Sequence, residues 1–165
     1  MDDHFLFVPS AVMNKLAIAE ITHCNDTTAR FGLILSPTEA QELVETRAVA
    51  LDSSGRIEFA GGIINKLIIE FCDSPFLFRH NYARTLNELV EIFYYYKSEM
   101  LDEISDDELI KMMKTCFDGA CHGSIELLQN RELDQLARDC RDGIRDAFDM
   151  TEEWDARFDQ EDDDE

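Results

Sequence analysis

The chain has 165 residues, 45% of them hydrophobic, and a formal net charge of −21. That size and apolar content suffice for one self-contained core without disulfide or metal staples. A field this acidic repels nucleic acid and anionic membrane and favours a basic protein partner, and no run reaches the ~18 to 20 apolar residues that a membrane span needs.

In chain order, the start Met1-Asp2-Asp3-His4 lacks the positive charge of a secretory signal, which points to a cytoplasmic protein. Ser10 is placed to cap a first helix whose apolar residues Val12, Leu16, Ile18 and Ile21 recur near helical spacing. Asn25-Asp26-Thr27-Thr28 supplies caps for a short second turn that Gly32 can close. Leu33-Ile34-Leu35 then reads as extended. Ser36-Pro37-Thr38-Glu39 is a capping box with proline at the first helical position, and its helix runs on Ala40, Leu43, Val44, Ala48 and Leu51 to Ser53-Ser54-Gly55.

Arg56-Ile57-Glu58-Phe59 alternates polar and apolar like a short strand, which could pair with Leu33–Leu35 in a two-stranded ribbon. After Gly61-Gly62, Ile63 to Cys72 is apolar on most sides, and Asn65, Lys66 and Glu70 favour a buried helix over a strand. The longest helix is expected from Asn81 to Leu101. One stripe holds Tyr82, Leu86, Leu89, Phe93, Tyr96 and Met100, and a second holds Val90, Tyr94 and Leu101, so neighbours on two sides are implied. Ser105-Asp106-Asp107-Glu108 is a second capping box, and its helix closes at Gly119. Ser124 opens a further helical stretch interrupted near Asn130.

Charge is unevenly placed. Residues 1–98 carry 8 Lys/Arg against 13 Asp/Glu, whereas residues 99–165 carry 7 against 23. From Ile144, the apolar residues Phe148, Trp154 and Phe158 stay on one helical side of an acidic segment, which reads either as packed on its own core or as a docking helix. The expected organisation is therefore a helical domain over 1–143, an amphipathic acidic helix over 144–158 and a disordered acidic tail over 159–165. The fold class is mainly α: a compact multi-helix single domain around a central aromatic helix, with at most one very short two-stranded β ribbon.

Several stretches together resemble a family of bacterial proteins described as a domain of unknown function, found mainly in anaerobic Gram-positive bacteria. They are Arg56-Ile57-Glu58-Phe59 with its glycines, Phe71-Cys72-Asp73-Ser74-Pro75, Asn81-Tyr82-Ala83, Glu91-Ile92-Phe93-Tyr94-Tyr95-Tyr96-Lys97, Ser105-Asp106-Asp107-Glu108-Leu109 and Gly123-Ser124. The similarity runs from about Phe31 to Leu136. It implies a small helical intracellular bacterial protein and carries over no catalytic residue.

Chemistry-bearing patterns are sparse. The five cysteines, Cys24, Cys72, Cys116, Cys121 and Cys140, are odd in number and irregular in spacing, as reduced thiols packed as small hydrophobes would be. His23, Cys24, Cys121 and His122 would make a zinc site only if the first helix packed beside the loop after Gly119; the plainer reading is two ordinary Cys/His pairs. Gly61-Gly62 with Lys66 one turn on could hold an anion at a helix start, yet a glycine pair there is more often a turn. Glu91, Tyr95 and Lys97 could line a pocket beside the aromatic helix, against the plainer reading of a packed core with an exposed tyrosine and a snorkelling lysine.

No nucleophile elbow, zinc-protease or dinucleotide motif is present. The expected function is a non-catalytic protein–protein interaction or regulatory module with an acidic docking surface, using no cofactor. Its partner would be another protein with a basic surface. A small-molecule-binding protein or enzyme with a pocket beside Glu91–Lys97 is the first alternative, and a zinc-stabilised domain is the second.

Overall fold

The computed structural model describes residues 10–58, 62–100 and 103–141. Its elements are α1 (Ser10–His23), α2 (Asn25–Thr28) continued by a 3-10 turn at Ala29–Phe31, α3 (Pro37–Ser54), α4 (Gly62–Phe71), α5 (Tyr82–Glu99), α6 (Asp106–Asp118), α7 (Ile125–Leu127), a π-helical turn at Leu128–Glu132, and α8 (Leu133–Arg141). The protein is mainly α. The acidic helix expected over 144–158 and the tail over 159–165 lie outside the described residues. The described residues gather into two compact units whose division falls within α5: one takes those up to Asp73 with Leu77–Glu91, the other Ser74–Phe76 with those from Ile92.

In the first unit, local chemistry sets the helix ends. Ser36 Oγ accepts from the Glu39 N–H at 3.1 Å while Glu39 Oε1 accepts from the Ser36 N–H at 2.9 Å, a reciprocal capping box with Pro37 next in line. Gly55, at φ +69°, ends α3 in the left-handed conformation, and the Arg56 N–H closes on the Leu51 carbonyl. Ala40, Leu43 and Val44 bury one face of α3. Helix α4 buries Ile63, Ile64, Leu67, Ile68 and Phe71, a stripe at helical spacing, and leaves Ile69 on its outer side. Each such aliphatic side chain removed from water contributes about 1.5–3 kcal/mol.

Two expectations for this unit fail for identifiable reasons. No strand forms among the described residues, so the ribbon between Leu33–Leu35 and Arg56–Glu58 is absent. The backbone groups that would have made its ladder are satisfied from α2. Asn25 clamps Leu35 on both sides, Nδ2 donating to the Leu35 carbonyl and Oδ1 accepting from the Leu35 N–H, each at 2.9 Å. The Thr28 hydroxyl donates to the Leu33 carbonyl at 2.7 Å. In α1, Ala17 and Ile21 face the core, one turn apart, whereas Leu16 stays exposed. Leu16 is one position off that stripe, about 100° round the helix.

The second unit is organised by the latter half of α5. Phe93, Tyr94 and Tyr96 are buried and Tyr95 is 54% exposed, as a 100° turn per residue requires of four consecutive aromatics. Ser105 Oγ accepts from the Glu108 N–H at 3.2 Å and starts α6, which buries Leu109, Ile110, Met112, Met113, Cys116 and Phe117. The interruption expected near Asn130 is the π turn, and the Tyr96 hydroxyl donates to the Gln129 carbonyl within it. Before it, Gly123 sits at φ +77° with the Phe76 side chain occupying the space a β-carbon would take. Phe76 in turn meets Phe117 and His122 edge-on.

Candidate functional site

An open concavity lies in the first unit, between α3 and the start of α5. Glu42, Glu45, Thr46 and Val49 follow the i, i+3, i+4, i+7 spacing that keeps them on one face of α3, and Asn87 and Glu91 stand one turn apart on α5. Together they line an open groove of about 430 Å³. Its floor is fixed: the Thr46 hydroxyl donates to Asn87 Oδ1 at 2.5 Å, and Asn87 Nδ2 donates back to the Ala83 carbonyl at 3.0 Å. Val49, 69% exposed, supplies the apolar end.

The electrostatics of the groove are one-sided. Five of the described cations pair with carboxylates outside the groove: Arg47 with Glu58 at 3.4 Å, Lys97 with Asp106 at 2.9 Å, Lys114 with Asp118 at 3.0 Å, Arg131 with Glu132 at 3.1 Å and Arg138 with Asp134 at 2.7 Å. Glu45 accepts a hydrogen bond from Gln41 Nε2 at 3.2 Å, and among the described residues none of Glu42, Glu45 and Glu91 is ion-paired. The groove thus presents three carboxylates, a hydroxyl, an amide and one aliphatic surface.

Glu91 is therefore the member of the expected Glu91, Tyr95, Lys97 trio that lines a concavity, and the structure does not bring the three together. Tyr95 points to solvent. Lys97 is 7% exposed, donating to the Ile104 carbonyl and pairing with Asp106, so its ammonium is turned inward instead of snorkelling. Sequence reasoning missed Glu42, Glu45, Thr46, Val49 and Asn87. The usable signal was Val49: an aliphatic residue outside the Ala40/Leu43/Val44 stripe, in line with two glutamates.

The anion cradle at the start of α4 is filled from within. Gly62 takes φ +46°, and the Glu58 carboxylate accepts from the Ile63 N–H at 3.2 Å while pairing with Arg47, which is 5% exposed. A β-carbon at Gly62 would stand 2.5 Å from Glu58 Oε1, so the glycine makes room for that carboxylate. Lys66, one turn on, is exposed.

Of the four metal-ligand candidates, His23 and Cys24 fall in the first unit and Cys121 and His122 in the second. Among the described residues no group of three His, Cys, Asp or Glu is placed to hold a metal ion. His23 Nδ1 faces Asp26 at 3.3 Å, Cys24 donates to Asn65 Oδ1, and exposed His122 lies edge-on to Phe76. The thiols are not activated. Burial first, then Glu20 and Cys72, raise the pKa of Cys24, and burial first, then Glu132, pushes that of Cys121 to about 11. Phe148, Trp154 and Phe158, the candidate docking residues, lie outside the described residues.

Residues 20–146 match a family described as "Family of unknown function (DUF6323)", well over half of the chain. No curated protein and no solved structure matches it. Among the described residues no helix is long and apolar enough to cross a membrane.

Proposed function

The chain belongs to the DUF6323 family, whose function is unknown, and we propose that it is a non-catalytic interaction module of the bacterial cytoplasm that docks a partner protein with a basic surface. What supports this reading is the groove between α3 and α5, where Glu42, Glu45 and Glu91 face solvent beside exposed Val49 and make no ion pair among the described residues. Uncompensated carboxylates in a concavity repel one another and attract a cation from outside, and a net charge of −21 extends that attraction over the approach path. The raised thiol pKa values of Cys24 and Cys121 supply no nucleophile.

A ligand-binding or enzymatic reading is the weaker one, because the groove is open to solvent, while small-molecule sites enclose most of their ligand. No observation favours a zinc-stabilised domain. Tagged protein isolated from its native cells tests the docking reading. It predicts one partner retained at low salt and released at about 0.5 M NaCl, where the Debye length shrinks to a few ångströms. Retention indifferent to salt, or no reproducible partner at low salt, would sink it.

A further inference from the structure

We infer that Cys116 and Cys121 are a reversible dithiol–disulfide couple, a site at which low-molecular-weight disulfides tie the loop after α6 back onto the last turn of that helix. The couple lies wholly in the second unit and is independent of the docking reading. Its basis is the way α6 ends. The Cys121 N–H donates to the Cys116 carbonyl at 2.9 Å, closing the chain across the helix end. A bond of that length keeps the two α-carbons no more than about 6.8 Å apart, and the bend at the donor nitrogen brings them nearer. Native disulfides span about 4.4–6.8 Å between α-carbons. Side chains at the two ends of such a closure commonly meet, and both thiols here are buried, at 0% and 1% exposure.

At rest the pair is reduced and unreactive. Burial pushes the Cys121 thiol up to about 11, and Cys116 sits in the last turn of α6, where the helix dipole disfavours a thiolate. Exchange therefore proceeds through local opening of the loop, which returns Cys121 to water and to ordinary thiol acidity. The loop holds His122 at φ +48°, a conformation that an L side chain rarely adopts, and opening relieves it.

In the opened loop Cys121 gives its proton to solvent and attacks one sulfur of the small disulfide. That S–S bond breaks, and the departing thiolate takes up a proton. The Cys116 thiolate then attacks the Cys121 sulfur of the mixed disulfide, forming the protein S–S bond and expelling the second small thiol. The two protein thiols lose two electrons and two protons, and one small disulfide becomes two thiols.

Trypsin releases Thr115–Arg131 as one peptide that contains both cysteines and no other. The test equilibrates the full-length protein with reduced and oxidised glutathione, quenches with acid, alkylates the remaining thiols in denaturant and weighs this peptide. As the buffer becomes more oxidising, the peptide should pass from two alkyl groups to none, two hydrogen atoms lighter than the dithiol. Excess reduced glutathione should restore it. Amide exchange over 119–124 should slow in the oxidised protein. In concentrated urea, which removes the hydrogen bond between the two residues, conversion should need a several-fold more oxidising glutathione ratio. Two alkyl groups retained in the most oxidising buffer, glutathione left on Cys121 without closure, conversion as ready in urea as in buffer, or unchanged exchange over 119–124 each overturn the proposal.

Discussion

Lys97 Nζ stands 2.9 Å from Asp106 Oδ1, joining the last turn of α5 to the first turn of α6 with the lysine buried and the aspartate half-exposed. The same ammonium donates to the Ile104 carbonyl in the connecting segment. Its partner is also the first residue of α6, where a negative charge is favoured by the helix dipole.

Truncating the two ends should therefore be unequal. Lys97→Ala empties a packed site and orphans a buried carbonyl, an expected loss of about 2–4 kcal/mol. Asp106→Ala removes a half-exposed charge and should cost about 1–2 kcal/mol after allowance for solvent screening. Urea melts of both variants and the double mutant measure the coupling. Two losses under about 0.5 kcal/mol would show that the pair does not hold α6 in place.

Two glycines with nearly the same backbone separate strain from crowding. Gly32 at φ +78° has open space where a β-carbon would be, while at Gly123, φ +77°, that carbon would stand 2.5 Å from the Phe76 Cβ. Alanine at either site adopts a strained conformation costing about 1 kcal/mol. Gly123→Ala must also displace Phe76 from Phe117, so it should lose at least about 1 kcal/mol more than Gly32→Ala. Equal thermal shifts in the two variants would contradict the packing described for Phe76.

Much of this architecture is legible in the sequence because it is locally encoded. Ser36, Ser105 and Ser124 each announce a helix, and each accepts the expected backbone hydrogen bond. The stripe Tyr82, Leu86, Leu89, Phe93 and Tyr96 is buried as its spacing requires. What was hidden depends on partners distant in sequence. Arg47 breaks the apolar stripe of α3, and only the fold brings Glu58 to it. The Asn25 clamp on Leu35 acts across ten residues and removes a strand that local alternation favoured. The groove was invisible for a similar reason, since Thr46 and Asn87 are forty-one residues apart and meet only once folded.

Tyr82 is buried to 1% exposure, and its hydroxyl makes no hydrogen bond of good geometry among the described groups. Burial raises its pKa well above the ordinary phenol value; the nearby Thr28 hydroxyl opposes the rise only in part. Tyr82→Phe should be neutral or stabilising by up to about 1 kcal/mol, because it removes an unpaired polar atom and keeps the ring. A loss above about 1.5 kcal/mol in denaturant unfolding would mean that the hydroxyl is bonded in solution.

Alkaline stability should report on Cys121. Burial pushes its folded pKa to about 11, above the ordinary thiol value of 9.0, so the folded state holds the proton more tightly than the unfolded chain. The contribution is complete below pH 9 and is lost as pH rises toward 11. In Cys121→Ala the stability curve should be flatter across that window. Identical curves would place the titration elsewhere. At pH 8 the half-buried Cys24 should react with a disulfide reagent before Cys121 does.

Glu58 at the mouth of α4 behaves as an intramolecular ligand. It is tethered five residues from the Ile63 amide it binds and faces a buried guanidinium already oriented toward it. Short tethers give effective concentrations of at least about millimolar, so a dissolved anion must exceed that level before it displaces the carboxylate. The helix start is thus self-inhibited toward phosphate-like solutes. An added anion should leave it unchanged, whereas Glu58→Gln would turn a closed end into one that responds to sulfate or phosphate in the buffer.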